Sequence, residues 1–221
     1  MTAASRSPVP DDSPPRRGRR KEARPGELLE AALALFAEKG YAATRVDEIA
    51  SRAGVSKGTL FLYFPTKEDL FRAVVRESIA GRFDEWNQEF ESFEGDTAQM
   101  LRYCMRSWWE RLGATPASGI TKLMLSESQN FPEVAAYYQA EVMEPGKNLI
   151  RRILERGVAR GEFRIADLDC AVYSVIAPMI FLMLNKHSVA ACLPASANIE
   201  PLRYVEAQAD VLLQGLRQRA S

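Results

Sequence analysis

SKGTLFLYFPTKEDL, residues 56–70, contains an unusual hydrophobic run. Leu60-Phe61-Leu62-Tyr63-Phe64 are all large and apolar or aromatic, and Pro65 follows at once. Periodicity alone does not separate a short buried strand from a buried helical turn, so the flanks have to. Ser56 is a good helix N-cap, and Pro65 forbids continuation. Thr66-Lys67-Glu68-Asp69 reads as a capping box opening a long helix that carries Leu70, Phe71, Val74, Val75, Ile79 and Phe83. The run is therefore read as a short helix, 57–64. Leu60 and Phe64, four apart, face the core; Lys57, Phe61 and Leu62 point elsewhere. A surface helix normally keeps a polar face, so this apolar one needs a second partner.

Upstream, Leu29, Ala32, Leu33 and Phe36 recur at i, i+3, i+4, i+7, one helical stripe, with Pro25 suited to its first turn and Gly40 to its end. Thr44-Arg45-Val46-Asp47 predicts a capped start at Thr44, and Val46, Ile49, Ala50 and Ala53 stripe a second helix over 45–53. Gly54 ends it where positive φ is wanted, and Val55 plugs the turn. Two short helices joined by a glycine turn are a helix-turn-helix.

The chain has 221 residues, 47% hydrophobic and 26% charged, with a formal net charge of zero. Residues 1–67 hold 12 Lys and Arg against 8 Asp and Glu, and the rest hold 17 against 21. A basic end and an acidic remainder hint that the first third meets a polyanion. Residues 1–24 have too few apolar groups to offset their ordering entropy and read as a disordered basic arm. That arm is either a solubilising tail or a segment that follows phosphates. Three scattered cysteines, Cys104, Cys170 and Cys192, make neither a disulfide framework nor a zinc pattern and fit a reducing cytosol. The first residues have no apolar signal core. The longest apolar stretch, Ala171–Leu184, is too short to span a bilayer, so no membrane partner is expected.

Residues 26–71 resemble the DNA-binding domain of TetR/AcrR-type bacterial transcriptional regulators, through LFAEKGY, EIASRAGVSKGTL and YFPTKEDL in fixed register. The remainder is similar in being helical and of the right length, with FPEVAAYY and LERGVARGEF loosely alike. The resemblance implies an all-α protein. An N-terminal three-helix DNA-binding domain, 25–71, would be followed by a helical effector-binding and dimerisation domain, 72–221. It also implies that helix 57–64 lies in the major groove, so that DNA is the missing partner. Phe61 and Leu62 would then touch thymine methyls, and Lys57 a guanine or a phosphate. Gly58 would allow close approach, and Ser56, Thr59 and Tyr63 would offer hydroxyls. Lys67 would bind phosphate with the helix N-terminus behind it, and Thr44 and Arg45 would grip flanking phosphates. Family members often carry Tyr where Phe61 stands, and an aromatic residue or His where Leu62 stands. Contacts there are therefore expected to be apolar. The alternative is that Phe61 or Leu62 packs on the next helix.

Asp96 starts another helix with Met100, Tyr103, Cys104, Trp108 and Leu112 at helical spacing, and Pro116 separates it from Ile120–Glu127. Pro132 opens a helix that runs to Arg160, with Pro145-Gly146 expected to kink or break it and Gly161 to stop it. Two more run over about 167–185 and 201–219. The family pattern implies an effector pocket and a homodimer joined by the last two helices. Candidate pocket residues are Tyr103, Trp108, Trp109, Met124, Tyr137, Tyr138, Met143, Tyr173, Met179 and Met183, residue types that line adaptable cavities and ordinary cores alike. Ala171, Ser174, Val175, Pro178 and Leu182, with Leu202, Val205, Val211, Leu212 and Leu216, supply surfaces for a twofold copy or for internal packing.

No H-E-x-x-H, G-x-S-x-G, P-loop or dinucleotide fingerprint is present, and one histidine, His187, makes no metal site, so neither enzyme chemistry nor a cofactor or metal is expected. The reading is a cytoplasmic transcriptional repressor that binds a palindromic DNA operator as a dimer and is released by a small apolar or aromatic effector. A helical interaction protein or an effector-independent DNA-binding regulator is the alternative.

Overall fold

The computed structural model describes residues 25–189, 192, 194 and 198–216. The arm expected over 1–24 and the last turn expected as far as Arg219 lie outside the described residues. Among the described residues are eleven α-helices and no β-strand. α1 (Pro25–Ala43), α2 (Val46–Arg52) and α3 (Lys57–Tyr63) make the N-terminal unit. α4 (Lys67–Ser78) leads out of it into α5 (Phe83–Ser92), α6 (Thr97–Trp108), α7 (Ser118–Glu127), α8 (Pro132–Tyr138), α9 (Glu144–Ala159), α10 (Leu168–Leu184) and α11 (Pro201–Leu216).

Local chemistry fixes the helix ends. Ser56 Oγ accepts the Thr59 N–H at 3.0 Å and Thr66 Oγ1 accepts the Asp69 N–H at 3.0 Å. Asp96 and Gln99 form a reciprocal box at 2.7 and 3.3 Å. Each side-chain cap satisfies an N–H that a helix start otherwise leaves unpaired, and contributes about 1 kcal/mol. Gly54, at φ +75°, turns α2 into α3. Phe64 is extended, as the residue before a proline prefers to be.

Several expectations change. The long helix read from Thr66 as far as Phe83 ends at Ser78, and Phe83 opens α5 after a 3-10 turn. The buried stripe of α1 is Leu28, Ala31, Ala32, Leu35 and Phe36, one residue round from the one anticipated; Leu29 and Leu33 are only half-buried. Thr44 is not the cap of α2: Arg45 holds that position, and its N–H donates to Glu48 Oε2 at 3.4 Å. The interruption expected at Pro145-Gly146 falls just ahead of the proline. Gln139–Met143 is wound as a π turn between α8 and α9, which leaves Pro145 in the first turn of α9, where its missing N–H is tolerated.

Two cores result. The first joins Phe36, Ile49, Leu60, Phe71 and Val74 to Ile120, Leu123, Val134 and Tyr138, so it runs unbroken from the N-terminal unit into α7 and α8. The boundary expected after residue 71 falls inside α4. α1 and α7 are in close contact: a Cβ on Gly119 would sit 2.6 Å from the Ala37 Cβ. The second core is a bundle of α6, α9, α10 and α11 around Leu101, Ile153, Leu154, Val175, Leu182, Val205 and Leu213. Val175, Leu182 and Val205 are therefore interior residues of one chain and do not present a face to a second copy, because their stripe points into this bundle. Leu212 and Leu216 are half-buried at its edge. Tyr173, Phe181 and Val211 are exposed instead. Leu168–Ser188, 21 residues of mean hydropathy 1.7, is long and apolar enough by those measures to cross a membrane. Its Val172, Val175, Met179, Leu182 and Met183, however, are built into the protein interior.

Candidate nucleic-acid interface and ligand cavity

α3 has one buried residue, Leu60, with no exposed surface. That single anchor leaves the rest of the helix outside. Leu62 is 84% exposed, Phe61 38% and Tyr63 43%, a cluster of large apolar groups in water. Ser56, Lys57 and Gly58 are also exposed, and Thr59 is half-buried with its hydroxyl 2.8 Å from that of Ser56. The Lys57 ammonium stands 5.8 Å from the centre of the Phe61 ring. A Cβ on Gly58 would meet only Ser56 Oγ, at 3.7 Å, so nothing inside the protein requires glycine there.

Two of the residues read as phosphate contacts are engaged elsewhere. Thr44 is 2% exposed, and its hydroxyl lies within hydrogen-bond reach of the carbonyls of Leu35 (3.1 Å) and Gly40 (2.6 Å). It ties α1 to the start of α2 and is turned away from solvent. Lys67 is half-buried; its ammonium donates to the Ala42 carbonyl at 3.4 Å and lies 4.4 Å from the centre of the Tyr41 ring. Burial pulls its pKa below the ordinary lysine value, against the opposing pull of Glu127. Arg45 remains exposed, paired with Asp47 at 3.3 Å.

The second feature is a cavity of about 120 Å³ at the seam between the two cores. α5 contributes Phe83, Trp86 and Phe90, and Phe93 follows at its end; α6 contributes Met100, Tyr103, Cys104, Ser107 and Trp108. Tyr138, Val142, Met143, Leu149, Ile150 and Ile153 come from α8 through α9, and Ile176, Met179, Ile180 and Met183 from α10. Polar groups are few. Thr121 and Tyr138 share a hydrogen bond at 2.7 Å, and burial pushes the Tyr138 phenol up to about 12. Burial likewise pushes the Cys104 thiol up to about 12, which keeps it protonated and unreactive. Among the described residues no group of three or more His, Cys, Asp or Glu could hold a metal ion.

Of the anticipated pocket residues, Tyr103, Trp108, Tyr138, Met143, Met179 and Met183 line this cavity. The others do not. Met124 is buried in the first core, and the Tyr137 hydroxyl donates to the Arg72 carbonyl at 3.3 Å. Trp109 packs in the second core, and Tyr173 points outward, 58% exposed. Trp86, Phe90 and Phe93 are absent from the sequence-based candidates, and Phe83 is there only as a residue of the helix opened at Thr66, although the four recur at helical spacing.

Cavity and N-terminal unit share α7. Thr121 lines the cavity from that helix. Six residues on, about 9 Å along the axis, the Glu127 carboxylate accepts the Tyr41 and Ala42 N–H groups at 3.2 and 3.0 Å. Those groups lie just past the break in α1 at Gly40, where φ is +84° and a Cβ would collide with the same carboxylate.

A family model described as bacterial regulatory proteins of the tetR family matches residues 28–74, and one described as a tetracyclin repressor-like C-terminal domain matches residues 93–191. The chain is 29% identical over 139 residues to a fatty acid metabolism regulator protein of Bacillus subtilis, covering 62% of this chain and 70% of that one. It is 29% identical over 163 residues to the transcriptional repressor KstR2 of Rhodococcus jostii, covering 73% and 76%. The solved structure of the fatty acid degradation regulator FadR from Bacillus halodurans superposes with a TM-score of 0.72 at 26% identity, covering 88% of this chain and all of that one.

Proposed function

This chain belongs to the TetR family of bacterial regulatory proteins, and on that premise we propose that it is a DNA-binding repressor that leaves its operator when an apolar small molecule fills the cavity. The observation that carries the reading is the double role of α7, which walls the cavity at Thr121 and holds the end of α1 at Glu127. A ligand that favours one placement of α7 thereby favours one placement of the recognition unit, and this differential affinity is what shifts an equilibrium between states.

In this reading α3 enters the major groove. Phe61 and Leu62 meet thymine methyls, Lys57 reaches a base edge or phosphate, and Gly58 lets the backbone come close. Ser56, Thr59 and Tyr63 supply hydroxyls, and Arg45 contacts a flanking phosphate. Lys67 works indirectly, by fixing the start of α4 to the α1–α2 connection. Two copies meet through the outward sides of α10 and α11, where Tyr173, Phe181 and Val211 are exposed. Their recognition helices then fall about 34 Å apart, one turn of DNA. A regulator of this kind works in the bacterial cytoplasm. The effector is an elongated apolar molecule; two relatives are named for fatty acid metabolism or degradation, and an acyl chain suits walls of Phe, Met, Ile and Val.

The test is fluorescence anisotropy on DNA from the region beside the protein's own gene and on scrambled DNA of equal length. Tight, salt-sensitive binding to the first, relieved by long-chain acyl compounds, is expected. Equal affinity for both duplexes would sink the proposal.

A further inference from the structure

Among the described residues that line the cavity, Tyr103 alone is exposed; the others are buried or half-buried. It borders the cavity and is 39% exposed to solvent, so at this point the wall is a single side chain thick. Tyr103 stands on α6 and faces α5 across a seam.

α5 carries one buried residue, Trp86. A helix with so little buried surface is the part of a wall that opens at least cost. Its two edges are tied differently. Along α9, Arg152 donates to Asn87 at 2.7 Å and to Glu91 at 3.4 Å, and its guanidinium lies 4.5 Å from the centre of the Phe90 ring. At the start of α9, Phe83 lies 3.8 Å from where a Cβ on Gly146 would stand. Along α6 the ties are polar and wet. The Tyr103 hydroxyl donates to Glu89 at 3.0 Å. Arg111, in the turn that follows α6, donates to Glu89 at 2.6 Å, to Glu85 at 3.2 Å and to the Tyr103 oxygen at 3.2 Å. All four side chains are partly exposed, so water can replace each bond, and ion pairs in such a setting hold weakly. The other charged wall residue, Lys147, pairs at 2.6 Å with Glu144 of its own helix and bridges no seam by that bond.

We propose that α5 is a hinged wall, fixed along α9 and latched to α6 by the Glu89–Tyr103–Arg111 cluster, and that apolar effectors enter and leave through the α5–α6 seam when the latch opens. The gate rests on the effector reading above and adds the route by which the ligand reaches the cavity. The latch closes over an empty cavity as over a filled one. It therefore sets the rate of exchange and leaves the equilibrium affinity to the apolar wall.

The experiment follows N-phenyl-1-naphthylamine, a neutral fluorescent dye, by stopped flow with full-length wild type, Y103F and K147M; displacement by 1-decanol identifies specific binding. Y103F keeps the ring and removes the hydroxyl with its two hydrogen bonds. Its association and dissociation rate constants are both expected to rise about fivefold, with Kd within about twofold of wild type, and K147M to behave as wild type. With dye in excess these constants do not depend on the folded fraction, so a partial loss of folding does not imitate the effect. A rise in the dissociation rate alone would make Tyr103 a ligand contact and overturn the gate. Unchanged constants in Y103F, or K147M speeding both in its place, would overturn it too, and each of these results leaves the cavity an effector site. Absence of any dye binding that 1-decanol displaces overturns the effector reading and the gate together.

Discussion

The Glu127 carboxylate accepts the Tyr41 N–H at 3.2 Å, from 86 residues further along the chain. With the neighbouring bond to the Ala42 N–H it closes the break in α1 from outside. Replacing Glu127 by Ala leaves two N–H groups without their acceptor, a loss of about 1–3 kcal/mol. The greater effect is expected in regulation: E127A should bind operator more weakly and respond less to effector, with E127Q between it and wild type. Thermal denaturation and anisotropy on the same samples check this. An unchanged effector response would remove α7 from the regulatory route.

Leu60 and Leu62 are two positions apart on α3 and should behave oppositely. L60A opens a space in a fully packed site and should cost about 2–5 kcal/mol in denaturant unfolding. L62A removes an 84% exposed side chain and should change stability by no more than about 0.5 kcal/mol while weakening operator binding. Were L62A to bind operator like wild type, α3 would not be the reading helix.

A similar contrast holds for the glycines that flank α3's start. Gly54 has φ +75° and should resist a side chain, G54A costing about 1–2 kcal/mol. Gly58 is helical with room for a Cβ, so G58A should raise stability by about 0.5–1 kcal/mol. The same methyl should lower operator affinity, because it stands where the backbone is proposed to meet DNA. Measuring Tm and operator Kd for both variants tests the pair.

His187 gives the protein a pH dependence. Its Nε2 is 2.7 Å from the hydroxyl of the buried Ser118, and its surroundings are cationic. Burial first, then Lys186 and Lys122, holds its pKa below the ordinary histidine value. The unfolded chain therefore takes up this proton first on acidification. The stability contributed by neutral His187 is complete above about pH 6.5. It is lost as pH falls from there through the lower folded-state value. Tm measured across that window should fall for wild type and fall less for H187Q; parallel curves would show that other groups carry the dependence.

Much of this was legible in the sequence where local chemistry decides. Ser56, Thr66, Asp96 and Asp167 cap helices because a short side-chain acceptor reaches N–H groups three residues on. The direction of Thr44 was not legible, since its partners, the carbonyls of Leu35 and Gly40, are presented only once α1 has broken at Gly40. Nor could a stripe at helical spacing reveal which neighbour it meets. Val175 and Leu182 satisfy the same pattern whether they face α9 and α11 of their own chain or a second copy. Likewise Met124 and Met143 share a residue type, yet only the latter ends at the seam where the two cores fail to close on each other.

The contact between Gly119 and Ala37 leaves no slack between α7 and α1, since even one methyl at position 119 would come within 2.6 Å of the Ala37 side chain. Helices so close transmit displacement instead of absorbing it. A bulkier residue at 119 would act as a fixed wedge, prising the recognition unit out of position with the cavity empty, and cells carrying it should express the controlled genes without waiting for any signal.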